Sequence, residues 1–170
     1  MLGLTTLGII HTAISLVALA AAIVALARDK QIATGNTVGK VYLYATILTC
    51  LTGFGIFQHG GFGKPHMLGI ITLVVLAVAV QASRGGFGGK SRYVEVVSYS
   101  LTVFFHMIPA VTETTTRLPL GAPLLPNAEA PELQTAAGVM FLIFLVGAVL
   151  QVRRLKAGRG GAPGGLHTVA

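Results

Sequence analysis

The sequence predicts an all-α fold. We expect an integral membrane helical bundle of five transmembrane helices, a four-helix core plus one peripheral helix, with the N-terminus outside and the C-terminus in the cytoplasm. Three observations predict it. Of 170 residues, 54% are hydrophobic and only 10% charged, against about a quarter charged in an ordinary soluble domain. A chain of this size cannot hide that much apolar surface in its own core, so the excess must face lipid. The apolar residues also fall into five runs separated by polar, Gly-rich or Pro-rich punctuation, and the basic residues lie between and after those runs.

The runs cover about 2–27, 41–57, 67–83, 93–112 and 135–152. Each has roughly the 17–25 residues that cross a bilayer core. The first run is too long for the apolar region of a signal peptide and has no basic residue before it. Arg28, Asp29 and Lys30 follow it instead, which holds its C-terminal end in the cytoplasm.

Under that topology the cytoplasmic segments hold ten basic residues: Arg28, Lys30, Lys40, Arg84, Lys90, Arg92, Arg153, Arg154, Lys156 and Arg159. The outer segments hold only Lys64 and Arg117. That asymmetry sets the orientation and places the chain in a bacterial inner (cytoplasmic) membrane as a multi-pass protein. The net charge of +7 is then topology rather than a nucleic-acid face, and the lipid bilayer is its partner. The 114–134 segment carries Pro119, Pro123, Pro126 and Pro131 and reads as an irregular outer loop. Residues 153–170 read as a basic, Gly-rich cytoplasmic tail.

Cys50 stands alone inside an apolar run, so it forms no intrachain disulfide or Cys-x-x-Cys pair. No phosphate loop, HExxH or GxSxG is present. The chemistry available lies in ionisable groups inside the helices. Hydrocarbon tolerates these only where they face the bundle or water.

The fourth run carries Glu95, Tyr99, Thr102, His106 and Glu113, at offsets of 4, 7, 11 and 18 from Glu95. These share an arc of roughly 60° at 100° per residue. They form one inward stripe and a candidate proton path. Pro109 lies in the same helix and frees a backbone carbonyl beside His106.

His11, Ser15, Ala18, Ala22 and Ala25 make a matching face on the first helix. Tyr42, Thr46, Thr49 and Gly53 do so on the second, and His66, Gly69, Leu73 and Ala77 on the third. Small residues on such faces let helices approach closely.

His11 and His106 therefore face inward at similar depth, with His59 and His66 nearer the outer surface. Imidazole is the usual axial ligand of b-type haem and a common metal ligand. The pair His11 and His106 is the candidate haem b site, with Tyr42 and Arg117 reaching a propionate. His66 and His59 join them as candidate metal ligands. The plainer alternative is a histidine pair hydrogen-bonded to threonine, tyrosine or backbone carbonyl, without a cofactor.

Gly39-Lys40-Val41-Tyr42, and Arg92 followed by Ser98-Tyr99-Ser100-Leu101, resemble a family of small bacterial predicted membrane proteins of unknown function. The likeness covers about residues 8–118. That family has His-Arg-x-x-Gly-Arg-x-Tyr and His-Arg blocks before two of its helices. This chain has Gly35 and Ser91 where those histidines would stand. The resemblance implies the architecture and no established chemistry.

Two functions are expected from these residues. One is a small haem-binding electron carrier, a membrane redox component if it is an enzyme, working with a quinol or a membrane-protein partner. The other is a cofactor-free membrane scaffold, assembly factor, or transporter and proton-path subunit.

Overall fold

The computed structural model describes residues 5–57 and 61–160, with side chains to Gly158. Five helices account for most of them, and no strand occurs among the described residues. They are α1 (Thr6–Asp29), α2 (Thr37–Gly53), α3 (Lys64–Ser83), α4 (Ser91–Arg117) and α5 (Pro131–Gly160). A 3-10 turn, Gly88–Lys90, precedes α4.

Local sequence chemistry sets the ends. Thr5 caps α1 by accepting from the Gly8 amide at 3.1 Å. Lys30 closes it in the left-handed conformation, its own amide bonding the Leu26 carbonyl. Asn36 caps α2 through the Gly39 amide and also donates to the Asp29 carboxylate, which ties the two helix ends together. Side-chain oxygens at N-caps satisfy amides that have no helical partner.

Consecutive helices run antiparallel. α1 packs on α2, α2 on α3, α3 on α4, and α4 returns to α1, while α5 lies against α4 alone among the helices. Small residues make the close α1 contact possible: Ala18, Ala22 and Ala25 are essentially fully buried. Tyr42 and Tyr99, also fully buried, fill the centre of the bundle.

The outward faces are apolar. Ile9, Leu16 and Ile23 on α1, and Leu142, Ile143 and Val146 on α5, are all more than half or nearly half exposed. Such surface belongs in hydrocarbon.

Four helical stretches are long and apolar enough to cross a membrane: Thr6–Asp29, Lys64–Ser83, Gly88–Arg117 and Pro131–Gly158. α2 has 17 residues and is about 26 Å long at 1.5 Å per residue.

Several expected boundaries shift. α2 begins four residues earlier than 41 because Asn36 supplies its cap, and it ends at Gly53 rather than 57. α4 continues past 112 to Arg117, its last turns carrying Thr115 and Thr116 hydroxyls bonded back to carbonyls and the Glu113–Arg117 pair. α5 runs on to Gly160, so the supposed tail begins as helix. Arg153, Arg154 and Lys156 suit a helix C-terminus, where the dipole is negative. The α3 face is also displaced: Thr72, Leu76 and Ala79 are buried, whereas Leu73 is only half-buried and Ala77 is exposed.

Candidate functional site: a polar file through the bundle

The α4 stripe forms the spine of the site. Glu95, Tyr99, Thr102 and His106 are all buried, and Val96 is the only apolar residue of α4 buried beside them. Glu113 belongs to the same stripe by periodicity but leaves the core, with its side chain 55% exposed and paired to Arg117. The stripe has run past the end of the neighbouring helices by then. At the other end Arg92 donates to Glu95 at 2.6 Å.

Hydrogen-bond directions can be assigned from proton counting. The Thr102 hydroxyl donates to the Tyr99 carbonyl at 2.8 Å. Its one proton is thus used, and the Tyr42 hydroxyl, 2.7 Å away, must donate to Thr102 Oγ1. The Tyr42 ring stands between two α4 residues, with centroids 6.3 Å from Tyr99 and 6.1 Å from His106.

The same counting fixes both histidine tautomers. His106 Nδ1 lies 3.3 Å from the Thr102 carbonyl. A carbonyl only accepts, so Nδ1 carries the proton and Nε2 presents a lone pair. His11 Nδ1 lies 3.0 Å from Thr52 Oγ1. Thr52 spends its proton on the Leu48 and Thr49 carbonyls. His11 Nδ1 therefore donates, which leaves the lone pair on its Nε2.

Among the described residues four buried side-chain atoms have no partner: His106 Nε2, Tyr99 Oη and Thr46 Oγ1 in the bundle centre, and His66 Nε2 at the start of α3. Tyr99 Oη faces Thr34 without a well-formed bond.

The two histidines do not touch. His11 packs on the C-terminal turn of α2, where a Cβ built on Gly53 would lie 3.2 Å from its Cε1. His106 sits deeper, against Tyr42. His11 stands at the C-terminal end of α2, on the Glu113 side of His106. The order along the bundle is thus Glu95, Tyr99, Tyr42 with Thr102, His106, His11 with Thr52, then Glu113. His11 bridges the step from His106 to Glu113 that the α4 stripe alone leaves open.

The donor chemistry of His11 and His106 suits axial ligation, since each Nδ1–H is held by a protein acceptor and each Nε2 carries the lone pair. The space does not. His106 Nε2 touches no gap as large as a water molecule, and neither of the two cavities described below is lined by either histidine. Tyr42 is committed to Thr102 inside the core and Arg117 to Glu113.

His66 belongs elsewhere. Its ring lies between Phe57 and Phe62, with centroid separations of 5.0 and 5.2 Å, and its Nδ1 accepts from the Gly63 amide to cap α3. His59 lies outside the described residues. Among the described residues no three His, Cys, Asp or Glu side chains converge as a metal site.

Sequence reasoning missed Thr52 and Thr34, whose only signal was a hydroxyl on the turn facing a polar stripe. It also missed Gln151, a lone amide ending the last apolar run.

No protein-family model, no curated protein and no solved structure matches this chain.

Proposed function

We propose that this chain is a small inner-membrane protein whose bundle carries protons along the polar file between Glu95 and Glu113. The observation that carries the reading is His106 Nε2, an acceptor lone pair held open midway along a series of titratable and hydroxyl groups. An unpaired buried polar atom costs roughly 1–3 kcal/mol. Strain of this kind persists where function uses it. A proton arriving at Nε2 converts the ring to imidazolium, which can release its other proton only after the Thr102 carbonyl bond loosens. Tyr42, Tyr99 and Thr102 supply hydroxyls on the Glu95 side, and His11 supplies the next acceptor towards Glu113. The file becomes continuous only when the packing around His106 opens far enough to admit water, which its Nε2 does not meet in the closed bundle.

The membrane orientation in this reading has the N-terminus outside and the C-terminus in the cytoplasm, with α2 as a fifth crossing. Two observations support it. α2 runs back along α1 from the Asn36–Asp29 bond at one end as far as His11, which Gly53 adjoins. Ten of the twelve basic residues belong to helix ends and turns at the Glu95 end.

A second reading, a haem between His11 and His106 serving a quinol or protein partner, rests on the two rings holding their protons on Nδ1. It requires α1 and α4 to part. Purified protein in liposomes under an imposed pH gradient separates the two. Proton flux above that of empty liposomes, lost in His106→Leu, supports the relay. Flux equal to that of empty liposomes overturns it, and a reduced-minus-oxidised Soret shift with an α-band favours haem.

A further inference from the structure

Two cavities of opposite character meet at Gln151. The first, about 320 Å³, lies at the Glu95 end and is lined by Asp29, Lys30, Arg92, Gln151 and Arg154 among others. The second, about 280 Å³, is an apolar groove between α4 and α5, walled by residues such as Val103, Phe104, Ile143, Phe144 and Gly147. Gln151 lines both. It is locked there: the Ser100 hydroxyl donates to its Oε1 at 2.8 Å, and its Nε2 donates to the Lys30 carbonyl at 2.9 Å.

The charge of the first cavity is not balanced from within. Among the described residues Asp29 is paired with Arg28 and Glu95 with Arg92. Among the described residues Lys30 and Arg154 form no ion pair, and the Lys30 ammonium bonds the Ala27 carbonyl at 2.6 Å. The second cavity opens on helix faces that are bare towards hydrocarbon: only 6% of the most apolar stretch of α5 is buried. A cationic recess joined to an apolar trough is the shape of a headgroup and a tail.

We propose that the two cavities form a binding site for one anionic phospholipid. Its phosphate sits between Lys30 and Arg154, and one acyl chain lies in the groove between α4 and α5. Charge complementarity selects the occupant, since a zwitterionic headgroup brings its own cation to a recess that already holds two. Gln151 marks the joint, where a glycerol ester meets the last amide before hydrocarbon. The lipid also reinforces the Gln151–Lys30 bond by which α5 is tied to the turn between α1 and α2. This inference is independent of the proton reading and needs only that the helices lie in a bilayer.

Native mass spectrometry of the detergent-purified chain, titrated with phosphatidylglycerol or phosphatidylcholine of matched acyl chains, tests it. Wild type should retain phosphatidylglycerol in preference. Lys30→Gln with Arg154→Gln should weaken that retention roughly thirtyfold, since each of the two cations near an anionic lipid contributes about 1 kcal/mol. Gly147→Leu should lower retention of both lipids while keeping the preference, because nothing lies within 4 Å of a Cβ there and the side chain can only fill the groove. Helical content and melting temperature should match wild type in both variants. Equal retention of the two lipids by wild type, or full retention by the double variant, would overturn the proposal. So would displacement of the lipid by millimolar inorganic phosphate alone, which would make the recess a site for the free anion.

Discussion

The Tyr42 hydroxyl stands 2.7 Å from Thr102 Oγ1 and is the donor of that bond, because Thr102 has already given its proton to the Tyr99 carbonyl. This one contact joins α2 to α4 across the centre of the bundle, and both side chains are fully buried. Its asymmetry makes the two partners unequal to mutation.

Removing the acceptor should cost more than removing the donor. Tyr42→Phe leaves a threonine oxygen that still donates to Tyr99, and should lose roughly 0.5–1.5 kcal/mol. Thr102→Val strands the Tyr42 O–H in an apolar core, and should lose about 1–3 kcal/mol. The double variant should lose less than the sum, since neither polar group is then left behind. Unfolding of the four proteins in mixed micelles measures the cycle. Strict additivity would mean that the bond contributes nothing.

Gly39 and Gly35 should behave oppositely to alanine. A Cβ on Gly39 would lie 2.0 Å from the Ala33 carbonyl oxygen, which is backbone and cannot swing away. Gly39→Ala must therefore open the α1–α2 turn, at a cost of about 3 kcal/mol or more by analogy with overpacked cores. Gly35 has nothing within 4 Å, so Gly35→Ala should leave the melting temperature within a degree or two of wild type. Comparable losses from both would show that the turn is looser than its geometry.

Much of this arrangement was legible in the sequence, for reasons that individual residues make plain. Intramembrane polar groups are expensive, so Glu95, Tyr99, Thr102 and His106 at helical spacing had to face inward, and they do. Alanines at 18, 22 and 25 announced the close α1 contact in the same way. α3 was harder, because an all-apolar helix has no stripe to read: Thr72 and Leu76 are its buried positions, not Leu73 and Ala77.

The depth of the histidines was legible only in part. Counting residues from helix ends put His11 and His106 level. The partners that hold each ring, Tyr42 for His106 and Thr52 for His11, emerge only in the packed bundle. Thr52 and Gln151 could not be picked out at all, since a single hydroxyl or amide is chemically silent until its partner is known.

Topology gives a third expectation. Reporter fusions after residue 30, after residue 88 and at the C-terminus should be active on the cytoplasmic side, and one near residue 122 on the outer side. Residues 30 and 88 flank α2 and α3 and share a side only if both helices cross, so that pair of fusions asks whether α2 crosses. Cytoplasmic signals at both 30 and 122 would remove one crossing and turn half the file around. A C-terminal fusion active only outside would reverse the whole assignment.

The last expectation sets stability against function at one residue. His106 Nε2 has no partner in the folded bundle, so the imidazole there is a cost that a side chain of similar size without the nitrogen does not carry. His106→Leu sacrifices the Nδ1–H bond to the Thr102 carbonyl, worth about 1 kcal/mol, but removes a buried unsatisfied acceptor worth about as much or more. The variant should therefore unfold no earlier than wild type while proton flux in liposomes falls to the level of empty vesicles. His11→Leu should reduce flux as well, because His11 stands between His106 and Glu113, and should cost little stability since its ring is only half-buried. A residue kept only for packing behaves otherwise: His106→Leu would then change melting and leave flux untouched. Flux that persists in both variants would show that the protons take another way, and the file would have to be read as a purely structural seam between α2 and α4.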